Sequence, residues 1–399
     1  MGIKLLALFD KKLDVFVKGR KHIFEDLKSN LSDKDNVIWF HSASLGEFEQ
    51  GIPIIEKLKS DYPTYKILVT FFSPSGYEVR KNYPLADCVT YLPFDTKRNA
   101  RKFIDSVNPK LAIFIKYEFW PNFLKLLKQH QIPTLLVSGI FRKDQLFFKG
   151  YGGFYRKALK TFDHFFVQNK VSKELLNSIG FQNVSLSGDS RFDRVYSITK
   201  QPKKLDFIDA FTKDKITLVA GSTWPDDEAI LLNYINNSSS DNEKFIIAPH
   251  NIHESEIQQL IQSCNKQICR YSDPKKNNTA QVLIIDSIGL LTAIYGYASM
   301  AYVGGGFNKS GIHNILEPAT YGLPIIIGPN YEKFNEAVAL VNLKGCVSIK
   351  NNKSFNAIFT SLTTDLELRK QKGQITKDYI IDNIGATDII HNFVRKLLS

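Results

Sequence analysis

The sequence predicts an α/β protein of two Rossmann-like doubly wound domains facing a cleft. Three observations carry that prediction. Short apolar runs rich in β-branched and aromatic residues alternate with amphipathic helical stretches along most of the 399 residues, the pattern of parallel sheets covered on both faces. The alternation pauses once, near 199–215, and then starts afresh. Polar or glycine-rich motifs follow the strand-like runs, and in doubly wound folds ligands lie outside the carboxyl ends of the strands.

In the first domain, 1–198, the strand-like runs are 37–40, 67–71, 89–92, 111–115, 134–137, 164–167 and 184–186, with helical stretches such as 50–59 and 99–106 between them. Pro202, Lys203 and Lys204 mark a linker over 199–215. The second domain, 216–375, has strand-like runs at 216–220, 245–248, 282–285, 300–303, 324–327 and 346–349. The last stretch, 376–399, is helical and is expected to pack back on the first domain. The polar stretches 236–242 and 273–278 read as surface loops.

A hydrophobic content of 43% suffices for substantial cores. The formal charge of +12, from 52 basic and 40 acidic residues, points to an anionic partner such as phospholipid or an acidic substrate. Nucleic acid is set aside, because no arginine-rich or aromatic-interleaved basic run is present. The four cysteines, Cys88, Cys264, Cys269 and Cys346, form no CxxC, which predicts free thiols and no structural zinc. His250, His253 and Glu254 lack a further ligand at a recognisable spacing.

No run reaches the ~18 apolar residues of a membrane span. Leu5, Leu8, Phe9, Leu13, Phe16 and Val17 recur at helical spacing beside Lys11, Lys12, Lys18, Arg20 and Lys21. That pattern fits a helix lying on an anionic membrane face, or a first helix packed on the core. The cations follow the apolar part, so the segment is not read as a signal peptide.

Several motifs carry chemistry. His41-Ser42-Ala43-Ser44-Leu45-Gly46-Glu47 follows the first strand, with a helix starting near Glu47. A carboxylate there can act as a general base, kept ionised by the helix dipole, or can simply complement that dipole. Ser73-Pro74-Ser75-Gly76 and Lys116-Tyr117-Glu118-Phe119-Trp120 follow two further strands, with Lys116 placed to pair with Glu118 or to bind an acceptor phosphate. Arg142 and the aromatic stretch 147–155 add a basic, apolar rim suited to an amphipathic anion, or a buried aromatic cluster.

In the second domain Gly221-Ser222-Thr223, Pro249-His250 and Asp286-Ser287-Ile288-Gly289 each follow a strand. Gly304-Gly305-Gly306 then opens a turn in which glycine backbone could approach a phosphate, with a helix N-terminus behind it. Asn314 and Glu317, three apart, would share one helix face and grip sugar hydroxyls.

Together, HSASLGE, KYEFWPN, AGSTW, IIDSIGLL and GGGFNKSGIHNILEPATYGLPIIIGP resemble the 3-deoxy-D-manno-octulosonic acid (Kdo) transferases of lipopolysaccharide synthesis, from about Gly19 onward. The resemblance implies an inverting enzyme of the glycosyltransferase B fold at the cytoplasmic face of the inner membrane. Its donor would be CMP-Kdo and its acceptor a lipid A precursor (lipid IVA), with no metal or other cofactor. Glu47 matches the family's catalytic base. Pro249, His250, Ile288, Gly289 and Gly304 to Gly306 match the stretch around the cytidine nucleotide. Asn314 and Glu317 match residues at the ribose and phosphate, with Ser222 and Thr223 near the donor's phosphate or carboxylate.

On this reading Ser44, Gly46, Ser75, Lys116, Glu118 and Arg142 line the acceptor side. Relatives carry an arginine-containing basic pair after the Ala-Pro step, where this chain has His250-Asn251-Ile252-His253. That leaves His250 or Lys309 to neutralise the donor. The segment before Lys18-Gly19-Arg20-Lys21 is short, which implies peripheral attachment. The competing readings are another B-fold nucleotide-sugar enzyme, a UDP-sugar transferase or epimerase, and a non-catalytic protein that binds anionic membrane surfaces.

Overall fold

A computed structural model describes residues 16–200, 203–273 and 277–398. The membrane helix expected from Leu5 onward lies mostly outside these residues. The described chain forms two compact units. One takes the residues up to Arg194 together with those from Asn383 on, and the other takes Val195–Asp382.

The first unit holds seven parallel strands: β1 (Val37–Ser42), β2 (Lys66–Phe71), β3 (Cys88–Tyr91), β4 (Leu111–Ile115), β5 (Thr134–Gly139), β6 (His164–Val167) and β7 (Val184–Leu186). Their order is β3-β2-β1-β4-β5-β6-β7, so the chain reverses direction between β1 and β4. The central strands are buried on both faces, which is why they read as continuous apolar runs such as Leu111–Ile115 rather than as alternating ones. Helices Lys97–Val107, Pro121–Gln129, Gly153–Leu159 and Lys170–Ser178 bury Phe103, Leu124, Leu159 and Leu176 in one core. Helix Leu45–Asp61 packs into a second core with Ile390 and Val394 of the last helix, Ala386–Leu398. Burying those two aliphatic side chains contributes about 1.5–3 kcal/mol each. Asp193 fastens the same helix by accepting from the backbone N–H groups of Gly385 (2.6 Å) and Thr387 (2.8 Å).

The second unit repeats the plan with β8 (Ile216–Thr223), β9 (Glu243–Pro249), β10 (Ile268–Arg270), β11 (Val282–Ile284), β12 (Met300–Val303), β13 (Ile325–Ile327) and β14 (Cys346–Ser348). The order is β10-β11-β9-β8-β12-β13-β14, with the reversal between β8 and β12. Helix Asp206–Thr212 falls inside the stretch expected to be a linker. It is instead part of the second unit's core, because Leu205, Ile208 and Phe211 bury against Val219 and Ile246. The expected terminal helix is two helices, Leu366–Ile381 and Ala386–Leu398, broken at Gly385 with φ 114°.

Arg20 departs from the expected cationic membrane face. Its guanidinium sits 3.9 Å from the Phe16 ring centroid and 4.8 Å from that of Tyr91, and it donates to the carbonyls of Phe16, Phe72 and Leu92. Burial pulls its pKa down to about 10. Arg20 is thus a packing residue, held by ring faces and backbone oxygens.

Candidate active site

In the first unit four adjacent strands, β2, β1, β4 and β5, end in the loops that carry Ser75, Ser44 to Glu47, Lys116 to Glu118, and Arg142. Adjacency of the strands brings those loops side by side at the β1/β4 reversal, the ligand position of doubly wound sheets. Glu47 lies in the first turn of helix Leu45–Asp61, half-buried, and its Oε2 accepts from the Ala43 N–H at 2.8 Å. Burial raises its pKa, the charge of Glu118 raises it further, and the Ala43 hydrogen bond and Lys116 oppose the rise. The expected control by the helix dipole is therefore outweighed by desolvation and a like charge. A raised carboxyl that remains below the working pH is a stronger base than an ordinary one.

Glu118 is placed behind this surface rather than on it. It is buried and meets His41 Nε2 at 3.0 Å and the Trp120 Nε1–H at 2.7 Å. The other nitrogen of His41, Nδ1, faces the Thr70 carbonyl at 3.1 Å and the Thr70 hydroxyl at 2.9 Å. Glu118 is thus partnered by His41 and Trp120, and the charge of Lys116 bears on Glu47. Arg142 is exposed, its guanidinium 5.8 Å from the Tyr117 ring centroid. Gly46 is exposed with no atom within 4 Å of where a Cβ would stand, whereas Gly76 is pressed against the Phe71 ring. Ser75 is exposed, its hydroxyl 3.0 Å from that of Ser73. Ser44 caps the helix by position without a side-chain hydrogen bond.

In the second unit β11, β9, β8 and β12 are adjacent, and they end at Ser287 to Gly289, His250, Ser222 to Trp224, and Gly304 to Gly306. Three rings stack there. His250 lies 4.6 Å from Trp224 and 4.5 Å from His313, and Trp224 Nε1 donates to His313 Nε2 at 3.0 Å. Burial first, then His250, lowers the His313 pKa to about 4, so His313 is neutral near pH 7. Sequence reading missed Trp224 and His313, since nothing local pairs residues 89 apart.

The glycine stretch differs from the expected phosphate cradle. The Gly304 N–H donates to the Gly221 carbonyl at 2.9 Å and the Gly305 N–H to Asp227 Oδ2 at 2.8 Å, so two of its amides are already used. A Cβ on Gly304 would stand 2.4 Å from the Ser222 oxygen, and one on Gly306 would stand 2.6 Å from Gly328 Cα. These glycines permit backbone-to-backbone packing. Asp227 was not singled out, yet it is fully buried and also accepts from Tyr302 (2.6 Å) and from the Trp224 N–H (2.9 Å).

Helix does not follow the glycines directly; it begins at Leu316 and runs five residues. Asn314 lies outside that helix. Its Oδ1 accepts from the Leu316 N–H, and its Nδ2 donates to Glu317 Oε1 at 3.0 Å. Thr292 donates to Glu317 Oε2 at 2.7 Å, joining this pair to the loop after β11. Thr223 spends its hydroxyl on Glu228 at 2.8 Å, whereas Ser222 holds a positive φ of 54°. Lys116, at φ 63°, is strained likewise, so non-glycine left-handed backbone marks the carboxyl ends of β4 and β8 alike. Pro249 is half-buried, Gly289 has φ 88° and Ile288 is 88% exposed, which leaves that edge open. Ser287 Oγ is buried without a partner among the described residues, a polar atom that a bound ligand could satisfy.

A family model described as 3-deoxy-D-manno-octulosonic-acid transferase (Kdo transferase) matches residues 18–194, nearly all of the first unit's leading part. Over most of the chain, a 3-deoxy-D-manno-octulosonic acid transferase of Aquifex aeolicus is 27% identical across 349 residues, 86% of this chain and 90% of that protein. The chain thus matches the Kdo transferase model over much of its first unit and resembles named Kdo transferases over most of its length. A second relative bearing that name, from Haemophilus influenzae, is 27% identical over 90% of this chain and 87% of its own length.

Solved structures bear on the fold. UDP-GlcNAc 2-epimerase of Neisseria meningitidis superposes with a TM-score of 0.60 at 16% identity, over 90% of this chain and 100% of that one. MurG of Acinetobacter baumannii gives a TM-score of 0.54 at 10% identity, over 91% and 99%. These likenesses give the chain the glycosyltransferase B fold, and its similarity to named Kdo transferases marks it as a glycosyltransferase. Among the described residues no group of three or more His, Cys, Asp or Glu is gathered as a metal site, and Glu254 is engaged by Arg270. No described helix is long and apolar enough to cross a membrane.

Proposed function

We propose that the chain transfers Kdo from CMP-Kdo to a lipid A precursor (lipid IVA), with Glu47 as the general base. The observation that carries the reading is Glu47 itself: a half-buried carboxylate with a raised pKa, at the β1/β4 reversal of a Kdo transferase family domain. An acceptor hydroxyl gives its proton to the Glu47 carboxylate. The oxygen attacks the anomeric carbon on the face opposite the nucleotide. The new carbon–oxygen bond forms as the bond to the phosphate breaks, and the electron pair leaves with CMP, so the configuration inverts.

The second unit takes the donor. Its four strand-end loops supply Ser222, the His250 ring, the Ser287 to Gly289 edge and the Asn314–Glu317 pair, while Gly304 to Gly306 shape the floor. Neutral His313 does not offset the donor's charge, which leaves that task to His250 or Lys309. The first unit takes the acceptor, with Lys116 and Arg142 as cations for its phosphates. Work at the cytoplasmic membrane face follows from the lipid acceptor.

Mass spectrometry of products formed from CMP-Kdo and a tetra-acylated, phosphorylated lipid A precursor tests this reading. Addition of Kdo mass to the lipid is the expected result. Consumption of a UDP-sugar instead, with CMP-Kdo untouched, would overturn it.

A further inference from the structure

At the outer edge of the second sheet one guanidinium holds three elements together. Arg270 ends the short edge strand β10, where it stands opposite Ile284 of β11. Its Nη1 and Nη2 donate to the two oxygens of Glu254, at 2.8 and 2.9 Å, and its Nε donates to Asp286 Oδ2 at 2.8 Å. Glu254 is the first residue of helix Glu254–Gln262, which follows the His250 turn, and Asp286 opens the loop that carries Ser287 to Gly289. Two of the donor-side loops are therefore tied to the same side chain. All three guanidinium nitrogens of Arg270 are engaged, so it is no rival to His250 or Lys309 for the donor's charge.

The two carboxylates are not equivalent. Glu254 is exposed, and a surface pair of that kind contributes little. The Asp286 side chain, by contrast, is 3% exposed. It also accepts from the Ser272 N–H at 2.9 Å and from the Ser272 hydroxyl. Burial pushes its carboxyl up, but the bonds from Ser272 and Arg270 outweigh burial and hold it below the ordinary value, so it is ionised near pH 7. A buried carboxylate that loses one of its donors is strongly disfavoured. Without Arg270, the loop that starts at Asp286 would shift to bring that charge to water.

The loop carries an unused polar atom. Ser287 Oγ is shielded from solvent and has no hydrogen-bond partner among the described residues, although the residue as a whole is half-buried. Folded chains rarely leave such an atom unpaired. No hydrogen bond holds the hydroxyl in its present rotamer, so rotation about χ1 can turn it outward without losing one. Beside it Ile288 is 88% exposed and Gly289 has φ 88°, which leaves the turn open to a ligand. One guanidinium against two carboxylates leaves this corner negative, so it favours the uncharged nucleoside of a donor over its phosphate.

We propose that Ser287 is a donor-binding residue whose hydroxyl bonds to the nucleoside, and that Arg270 is the positioning residue that holds it in place through Asp286. The inference rests on the reading of the second unit as the one that takes the donor. It adds which side chains serve the outer edge of that site.

Calorimetric titration of the full chain with CMP, beside thermal melts, tests it. Ser287→Ala should weaken CMP binding about threefold to tenfold, the contribution of one neutral hydrogen bond. Its melting temperature should match or exceed that of the wild type, because the free chain loses no hydrogen bond. A lower melting temperature with unchanged affinity would mark a purely structural hydroxyl and overturn the assignment.

Arg270→Gln should weaken CMP binding to a similar degree and raise the KM for CMP-Kdo while kcat holds. A merely structural role would leave KM alone and reduce the active fraction. Arg270→Lys, which keeps the charge without the fork, should recover part of the affinity. In the Arg270→Gln, Ser287→Ala double variant the loss should be about that of one single change, because both remove the same contact. Losses that multiply would overturn the positioning role. If Arg270→Gln does not fold, Arg270→Lys replaces it in the cycle.

The two readings fail separately. CMP binding that Ser287→Ala leaves intact sinks this inference and spares the donor assignment. Binding of UMP in place of CMP, weakened by Ser287→Ala, does the reverse. Binding of neither nucleotide by the wild type overturns both.

Discussion

His41 and Glu118 form a buried pair, Nε2 to Oε2 at 3.0 Å, directly behind the loop that carries Glu47. A carbonyl oxygen only accepts, so His41 Nδ1 carries the hydrogen that points to Thr70. Trp120 Nε1–H points between the two, 2.7 Å from Glu118 Oε2 and 2.9 Å from His41 Nε2, so one indole ties both side chains together. The pair joins β1 to the loop after β4 and fixes the Glu118 carboxylate near Glu47.

Glu118→Gln removes that charge, and the Glu47 pKa falls toward its ordinary value. Activity needs ionised Glu47, so the acid limb of kcat/KM, placed above the usual carboxylate range in the wild type, should move to lower pH. A pH profile checks this. A purely structural role for Glu118 would lower the whole profile without moving the limb.

Asp227 is bonded by three donors: Tyr302 Oη–H and the N–H groups of Gly305 and Trp224. In Asp227→Asn one acceptor oxygen becomes an NH₂ facing donors. Stability of the second unit should drop by about 1–3 kcal/mol, read from the urea midpoint, and donor affinity should fall because the glycine turn and the Trp224 ring lose a common anchor.

His313, with its pKa lowered to about 4, stays neutral in the folded chain while an unfolded histidine protonates near 6.5. Between those values the unfolded state binds more protons, so stability falls as pH drops from about 6.5 toward 4 and levels off below. His313→Gln should flatten that slope, measured as the Tm of the second unit against pH.

Two glycines should respond oppositely to alanine. Gly304→Ala meets backbone at 2.4 Å and should cost about 1–3 kcal/mol. Gly46→Ala enters open space on the first helical turn and should leave stability unchanged or raise it by up to about 1 kcal/mol. A rise in acceptor KM for Gly46→Ala would place the acceptor against that backbone. Thermal melts and acceptor titrations read both.

Much of the fold is written locally. Every strand but β10 was marked by an apolar run, because two-sided burial demands continuous hydrophobicity. β10 escaped because Ile268–Arg270 is a three-residue edge strand whose arginine is spent on Glu254 and Asp286. Helix Asp206–Thr212 was hidden by the proline and lysines before it, although its Ile208 and Phe211 are core residues.

The candidate site was legible as loops but less so as roles. Glu47 stood out by its position after a strand. Glu118 read as an acceptor-side residue or a partner of Lys116, since nothing in the sequence shows that His41 and Trp120 converge on it. The glycines looked like an anion turn, because a glycine needed for packing and one needed for a phosphate read alike; only Asp227 and the Ser222 backbone tell them apart. The stacked Trp224, His250 and His313 rings come from three separate strand ends.

The central claim is that Glu47 takes the acceptor proton. Turnover of CMP-Kdo with a lipid A precursor should be measured for wild type, Glu47→Gln and Glu47→Ala, beside CMP binding by calorimetry. A general base contributes about 10²–10⁴-fold, so kcat should fall at least a hundredfold in both variants while CMP affinity holds. Undiminished turnover in either variant would contradict the assignment.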